Sequence, residues 1–145
     1  MKILVPTDGS KYAEAALAVA VDLVKTKGGE LCLISVVTAL EEFELELSAG
    51  SRENIRQEFE ARAAMVIEKG AALAAAAGVK VSCKSETSAT SVADAIVEYS
   101  EKEKVDLIVM GTRGLSPSSR FRMGSVASKV VRHAPCSVYV VKKKE

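Results

Sequence analysis

Gly111, Gly114, Gly124 and Ser125 fall in the spacing G-x2-G-x9-G-S, with Arg113, Arg120 and Arg122 among them. Glycine lets the main chain take turns closed to other residues and lets a ligand come close to it. A helix that starts just beyond such a loop offers unpaired amide N–H groups. A phosphate suits this arrangement, with Ser125 adding a hydroxyl donor and the arginines adding positive charge. Each residue alone has a plainer role: Gly111 and Gly114 permit a tight turn, and Ser125 is a common helix N-cap. Their joint position, directly after the apolar run DLIVM at 106–110, is what points to a ligand.

That loop needs elements to hold it. Short apolar runs recur at KILV, LCLISVV, VKVSC, DLIVM and SVYVV, each separated by enough residues for a crossover helix, which is a βαβ rhythm. Ala13, Leu17, Ala20 and Val24 share one helical face, and Ile55, Phe59, Ala63, Val66, Gly70, Leu73 and Ala77 step by three or four. Shorter helices fit 91–102 and 125–133, while Gly28, Gly29 and Gly78 mark helix ends. Four runs are apolar at nearly every position and predict strands buried on both faces. VKVSCK alternates and predicts an edge strand. The expected fold is α/β: a doubly wound, Rossmann-like, five-stranded parallel sheet in the order 3-2-1-4-5 with helices on both faces. Winding reverses between the first and fourth strands. The loops there, PTDGS and GTRGLSPSSRFRMGS, frame the crevice in which such folds take their ligands.

A length of 145 residues predicts one domain over 1–145. Apolar stretches are broken by charge before they could cross a bilayer, and MKILVPTDGS lacks a signal core, so a soluble cytoplasmic protein is expected. Cys32, Cys83 and Cys136 lie far apart with no CxxC pair, which argues against a disulfide framework or a zinc site and for reduced thiols. Residues 107–144 hold eight basic side chains and no acid, overlapping the glycine loop. Aromatic residues make up only 4%, and with a pI of 7.7 nucleic acid is a weak candidate partner. No GxxxxGK[ST] is present and no GxGxxG follows the first strand, which disfavours P-loop enzymes and dinucleotide binders. His133 stands alone near a helix end, without a Ser/His/Asp order. Ser116, Ser118 and Ser119 read as loop polarity first and as phosphorylation sites second. The acidic stretch at 40–50 reads as a solvated connection.

The spacing of the glycine loop, together with KILVPTDGS, LISVV, DLIVMGTRG and GSVASKVVRHAPCSVYVVK, resembles the ATP-binding branch of the universal stress protein family over the whole chain. The resemblance implies an adenine nucleotide lying across the switch point. Pro6, Thr7, Asp8 and Val36 would surround adenine and ribose. Met110, Gly111, Arg113 and Gly114 would line the next portion, and Gly124, Ser125 and Val126 would hold the phosphates of ATP, with Mg²⁺ or Mn²⁺ on those phosphates. The proposed strand order leaves SVYVV at a sheet edge, where an apolar strand invites antiparallel pairing with a second copy that buries Val138 and Val140, or Tyr139 and Val141, and this agrees with the homodimers typical of the resembled family. Asp8 has a second reading as the N-cap of the first helix, and Val36 and Met110 a second reading as core. The chain departs from the family pattern where ETSATSVADA replaces a Gly-x-Pro and where Ser137 follows Cys136 in place of proline.

Two functions of different classes follow. One is a nucleotide-dependent stress-response regulator or sensor, with at most slow ATP hydrolysis or self-phosphorylation. The other is a dimerisation module that binds no nucleotide. A transferase or ligase domain using ATP is a third reading and needs a second substrate pocket.

Overall fold

The run KILV becomes the middle strand of a parallel sheet. The computed structural model describes residues 1–38, 48–89, 91–113 and 123–143. Within them the strands are β1 (Lys2–Pro6), β2 (Glu30–Thr38), β3 (Val81–Ala89), β4 (Leu107–Gly111) and β5 (Ser137–Val141). The helices are α1 (Lys11–Lys27), α2 (Ala49–Ala76), α3 (Val92–Lys102) and α4 (Ser125–His133). The sheet order is β3-β2-β1-β4-β5, as the crossover rules predict. Leu4 pairs with Cys32 on one side and Ile108 on the other, so β1 has a neighbour on each side.

Alternation along the strands sends successive side chains to opposite faces and makes two cores. Ile3, Val5, Leu31, Leu33 and Val109 pack with Ala16, Leu17 and Ala20 of α1 and Ile67 and Ala74 of α2. Leu4, Cys32, Ile34, Ile108 and Met110 pack with Ala93 and Ile96 of α3 and Ala127 and Val130 of α4. Each fully buried Leu, Ile or Val stabilises the fold by about 1.5–3 kcal/mol over its exposed state. This places the runs of β1, β2 and β4 inside the sheet; SVYVV is the exception to the expected two-sided burial, because β5 ends the sheet and its residues are exposed or only half-buried. Edge strand β3 shows the half-exposed pattern its alternation predicted.

The inner face of α2 is not the expected one. Ala63 and Gly70 are buried as the periodicity suggested, but Ile67 and Ala74 complete the face, and Leu73 is 44% exposed. The cause is close packing. A Cβ added at Gly70 would lie 3.1 Å from Leu33 Cδ1 and 3.7 Å from Leu17 Cδ2, so small residues occupy the line of contact and Leu73 falls outside it. The stretch at 40–50 also divides differently. Residues 40–47 lie outside the described residues, Ser48 caps α2 by accepting from Ser51 N, and Ala49 and Gly50 are already helical.

Candidate functional site

Strands β1, β2 and β4 end together on one side of the sheet, and a cleft of about 540 Å³ opens there. Its floor is Pro6 at the end of β1 with Thr7 beyond it, Ile34 to Val37 of β2, and Met110 to Arg113 leaving β4. The start of α4 supplies Gly124, Ser125, Val126 and Ala127, and α3 supplies Val92 and Ile96. Ten of the eleven residues expected from the sequence line this one cleft: Pro6, Thr7, Asp8, Val36, Met110, Gly111, Arg113, Gly124, Ser125 and Val126. Gly114, like Arg120 and Arg122, lies outside the described residues.

The loop after β1 is shaped by its own polar groups. Thr7 N donates to the Ile34 carbonyl at 2.8 Å, tying the loop to β2. Gly9, at φ 81°, carries the chain through a conformation that side-chain-bearing residues avoid, which delays the helix by two residues. The N-cap of α1 is therefore Ser10, whose Oγ accepts from Ala13 N at 3.2 Å, and not Asp8. Asp8 stands one step further out. Its Oδ1 accepts from Ser10 N at 2.9 Å, an Asx turn that holds the carboxylate at the rim of the cleft.

Gly111 and Gly124 owe their glycine to close approach and not to a left-handed turn. A Cβ at Gly111 would meet Tyr12 Cβ and the Tyr12 carbonyl oxygen, both at 2.9 Å, because the first turn of α1 crosses the end of β4. A Cβ at Gly124 would lie 2.9 Å from the Thr112 carbonyl oxygen. Gly124 N donates to that same oxygen at 2.7 Å, so the exit of β4 and the entry of α4 are stitched together.

The start of α4 differs from the other described helices. Ser10, Ser48 and Ser91 each cap a helix with a side-chain oxygen, whereas Gly124 caps α4 with none. The first helical hydrogen bond of α4 is Ser128 N to Gly124 O, at 2.9 Å. The amides of Ser125, Val126 and Ala127 precede it and have no intrahelical acceptor. All three residues line the cleft, where the positive end of the helix dipole favours an anion. Ser125 is thus the first helical residue and not the cap. Its neighbour Lys129, one turn on, is held away by Asp94 at 3.0 Å and by Ser91 at 3.4 Å, which ties α4 to α3. The hydrogen bond from Lys129 holds the Asp94 carboxyl below its usual range.

The sequence pattern missed the wall formed by α2. Phe59, Arg62, Ala63 and Val66 line the cleft opposite α4. Length was the available signal. A helix of 28 residues spans about 42 Å, whereas a nine-residue strand spans about 30 Å, so the first turns of α2 must overhang the sheet.

Val36 and Met110 serve both readings, since each packs against the core and faces the cleft. Asp8 is the one carboxylate among the described lining residues. Among the described residues no group of three or more His, Cys, Asp or Glu could hold a metal ion. A divalent cation in this cleft would have to rest mainly on a ligand's own oxygens. No helix of the described residues is long and apolar enough to cross a membrane.

A doubly wound α/β sheet with a cleft at its switch point and an open helix start beside it defines a class of anion-accepting folds. Residues 1–142 match the profile of the Universal stress protein family, and the chain belongs to that family. It is 37% identical over 142 residues to the Universal stress protein MJ0531 of Methanocaldococcus jannaschii, covering 98% of this chain and 82% of that one. The solved structure of the hypothetical protein MJ0577 superposes with a TM-score of 0.83 at 28% identity, covering 99% of this chain and 96% of that one. Universal stress protein UspA from Lactobacillus plantarum superposes with a TM-score of 0.80 at 28% identity, covering 97% of each chain. More distant proteins of the same fold, at 20% identity and a TM-score of 0.71, were solved with nucleotides: one from Archaeoglobus fulgidus with dAMP and one from Arabidopsis thaliana with AMP.

Proposed function

We propose that this chain is an ATP-binding universal stress protein, a nucleotide-dependent regulator whose occupancy alters its interactions in the stress response. The observation that carries the reading is the start of α4, without a side-chain cap, opening into a cleft that also holds apolar Pro6, Ile34, Val36 and Met110. The phosphates sit against the amides of Ser125, Val126 and Ala127, with Gly124 allowing the approach and Arg113 adding charge. Gly111 lines the path from β4 to that helix. Adenine packs against Val36, Met110 and Pro6, and Thr7 and Asp8 reach the ribose. Mg²⁺ or Mn²⁺ is carried on the phosphates, in keeping with the scarcity of carboxylates in the cleft. The nucleotides found on distant proteins of this fold support the ligand class.

The domain acts as one unit and pairs with a second copy through β5. That strand is the second edge of the sheet, and its Tyr139 is 48% exposed. An apolar edge strand invites antiparallel pairing across a two-fold axis. The same edge favours the second reading, a dimerisation module without a nucleotide.

Protein purified without added ligand, extracted with acid and assayed for adenine nucleotides, separates the two. Released ATP, or saturable binding of Mg-ATP to the emptied protein, supports the regulator. An empty extract with no thermal shift on adding Mg-ATP supports the dimerisation module.

A further inference from the structure

Cys32 and Cys83 occupy directly opposed positions on neighbouring parallel strands. Adjacent strands lie about 4.8 Å apart, inside the roughly 4.4–6.8 Å range of Cα separations that a disulfide spans. Both side chains belong to the same face of the sheet, packed with Ile34 and Tyr99 in the core under α3. The register between β2 and β3 shifts at this point, between Leu31 and Cys32, so that Ser82 is passed over. Among the described residues β3 has no strand beyond it, so it can shift to bring two sulfurs into bonding distance. All three cysteines of the chain are free thiols.

The pair is asymmetric. Cys32 is fully buried, while Cys83 is only partly so. Burial first, and then the adjoining Cys83 thiol, push the Cys32 thiol up to about 12, which keeps it protonated and unreactive toward a dissolved oxidant. Lys2 on β1 acts weakly in the opposite sense and Glu30 on β2 in the same sense. Tyr99 on α3, itself pushed up to about 12 chiefly by burial, lies within electrostatic reach of both sulfurs.

We infer that Cys32 and Cys83 form a reversible disulfide when the protein meets a peroxide, giving the chain an oxidation site separate from the cleft. The sulfur of Cys83 attacks one peroxide oxygen, the O–O bond breaks, and the departing hydroxide takes the Cys83 thiol proton and leaves as water. Cys83 is then a sulfenic acid, oxidised by two electrons while the peroxide is reduced. Cys32 sulfur attacks Cys83 sulfur, the S–S bond forms and the S–O bond breaks. The proton of Cys32 leaves with the hydroxyl as a second water. A thiol reductant reverses the change. Cys136 lies at the opposite edge of the sheet, just before β5, and serves as an internal control. Cys32 stands four residues before Val36 on β2, so the site requires no nucleotide and does not depend on the function proposed above.

The experiment is peroxide treatment of the reduced protein, blocking of remaining thiols with a maleimide, and peptide mass mapping without reductant. The expected result is a single intrachain link joining the peptides that contain Cys32 and Cys83, loss of two of the three free thiols, and full recovery with dithiothreitol. Cys32→Ser should divert Cys83 to sulfinic acid, and Cys83→Ser should leave Cys32 reduced. Sulfinic acid at Cys83 in the wild-type protein without a Cys32 link would overturn the inference. So would links between chains or through Cys136. The wild-type map decides the matter even if a serine variant fails to fold.

Discussion

Gly124 N–H donates to the Thr112 carbonyl oxygen at 2.7 Å and closes the base of the loop that joins β4 to α4. The bond fixes the direction in which the first amides of α4 point. It also explains why residue 124 carries no side chain, since a Cβ would meet that carbonyl at 2.9 Å. Gly124→Val should therefore act twice, forcing the loop base apart and turning the amides from the cleft. Overpacking of this kind costs about 1–3 kcal/mol of stability. Losing two charge-assisted hydrogen bonds of about 1.5–3 kcal/mol each lowers ATP affinity by roughly a hundredfold or more, while adenosine binding changes less. Calorimetric titration of both ligands, at a temperature where the variant is folded, checks this. Wild-type ATP affinity in the folded variant would remove the α4 start from the phosphate site.

Asp8→Ala separates ligand contact from folding better than the sequence alone suggested, because Ser10 and not Asp8 caps α1. The variant loses one Asx hydrogen bond and so should lose only about 1 kcal/mol of stability. ATP affinity should fall about tenfold or more if the carboxylate accepts from ribose hydroxyls. An unchanged dissociation constant takes Asp8 out of the site.

The β5 edge makes its own prediction. Replacing Tyr139 and Val141 together by lysine places two like charges per chain at the proposed two-fold contact and should shift sedimentation profiles toward monomer. A wild-type chain that is already monomeric at micromolar concentration contradicts β5 pairing.

The Asp94–Lys129 tie between α3 and α4 predicts a pH dependence of definite sign. Asp94 is held below its ordinary value, first by the hydrogen bond from Lys129. A carboxyl depressed in the folded state contributes stability that is present above the unfolded pKa, about 3.9, and is lost as pH falls through the folded value. Wild type should therefore melt slightly above Asp94→Asn at pH 7, with the two curves converging as pH falls through the lowered folded value. The gap should also shrink in high salt, since the pair is solvent-exposed. A gap that persists at acid pH would assign the effect to something other than this ion pair.

The strands and their order were legible because burial on both faces leaves uninterrupted apolar runs, as in Ile3, Leu4 and Val5, and because β3 alternates. Seven of the ten cleft residues were legible because they sit in the two loops at the reversal of winding, while Val36, Met110 and Val126, on β2, β4 and α4, came through the family resemblance. What stayed hidden is set by contacts between elements. Gly70 faces Leu33 because two helices crowd one sheet face, and no local pattern distinguishes Ile67 and Ala74 from Leu73. Phe59 and Arg62 reach the cleft only because α2 outruns the strands. Ser10 caps α1 because of the conformation of Gly9, which a reading of residue preferences at Asp8 does not contain.

The most direct measurement is titration of nucleotide-free wild-type protein with Mg-ATP by isothermal calorimetry, with adenosine and inorganic triphosphate as separate ligands. Saturable binding of one ATP per chain, tighter than either fragment, is the predicted result, because the apolar floor and the α4 amides contribute together. Absence of heat and of saturation with Mg-ATP, from protein whose acid extract is also empty, would contradict the nucleotide function assigned to this cleft.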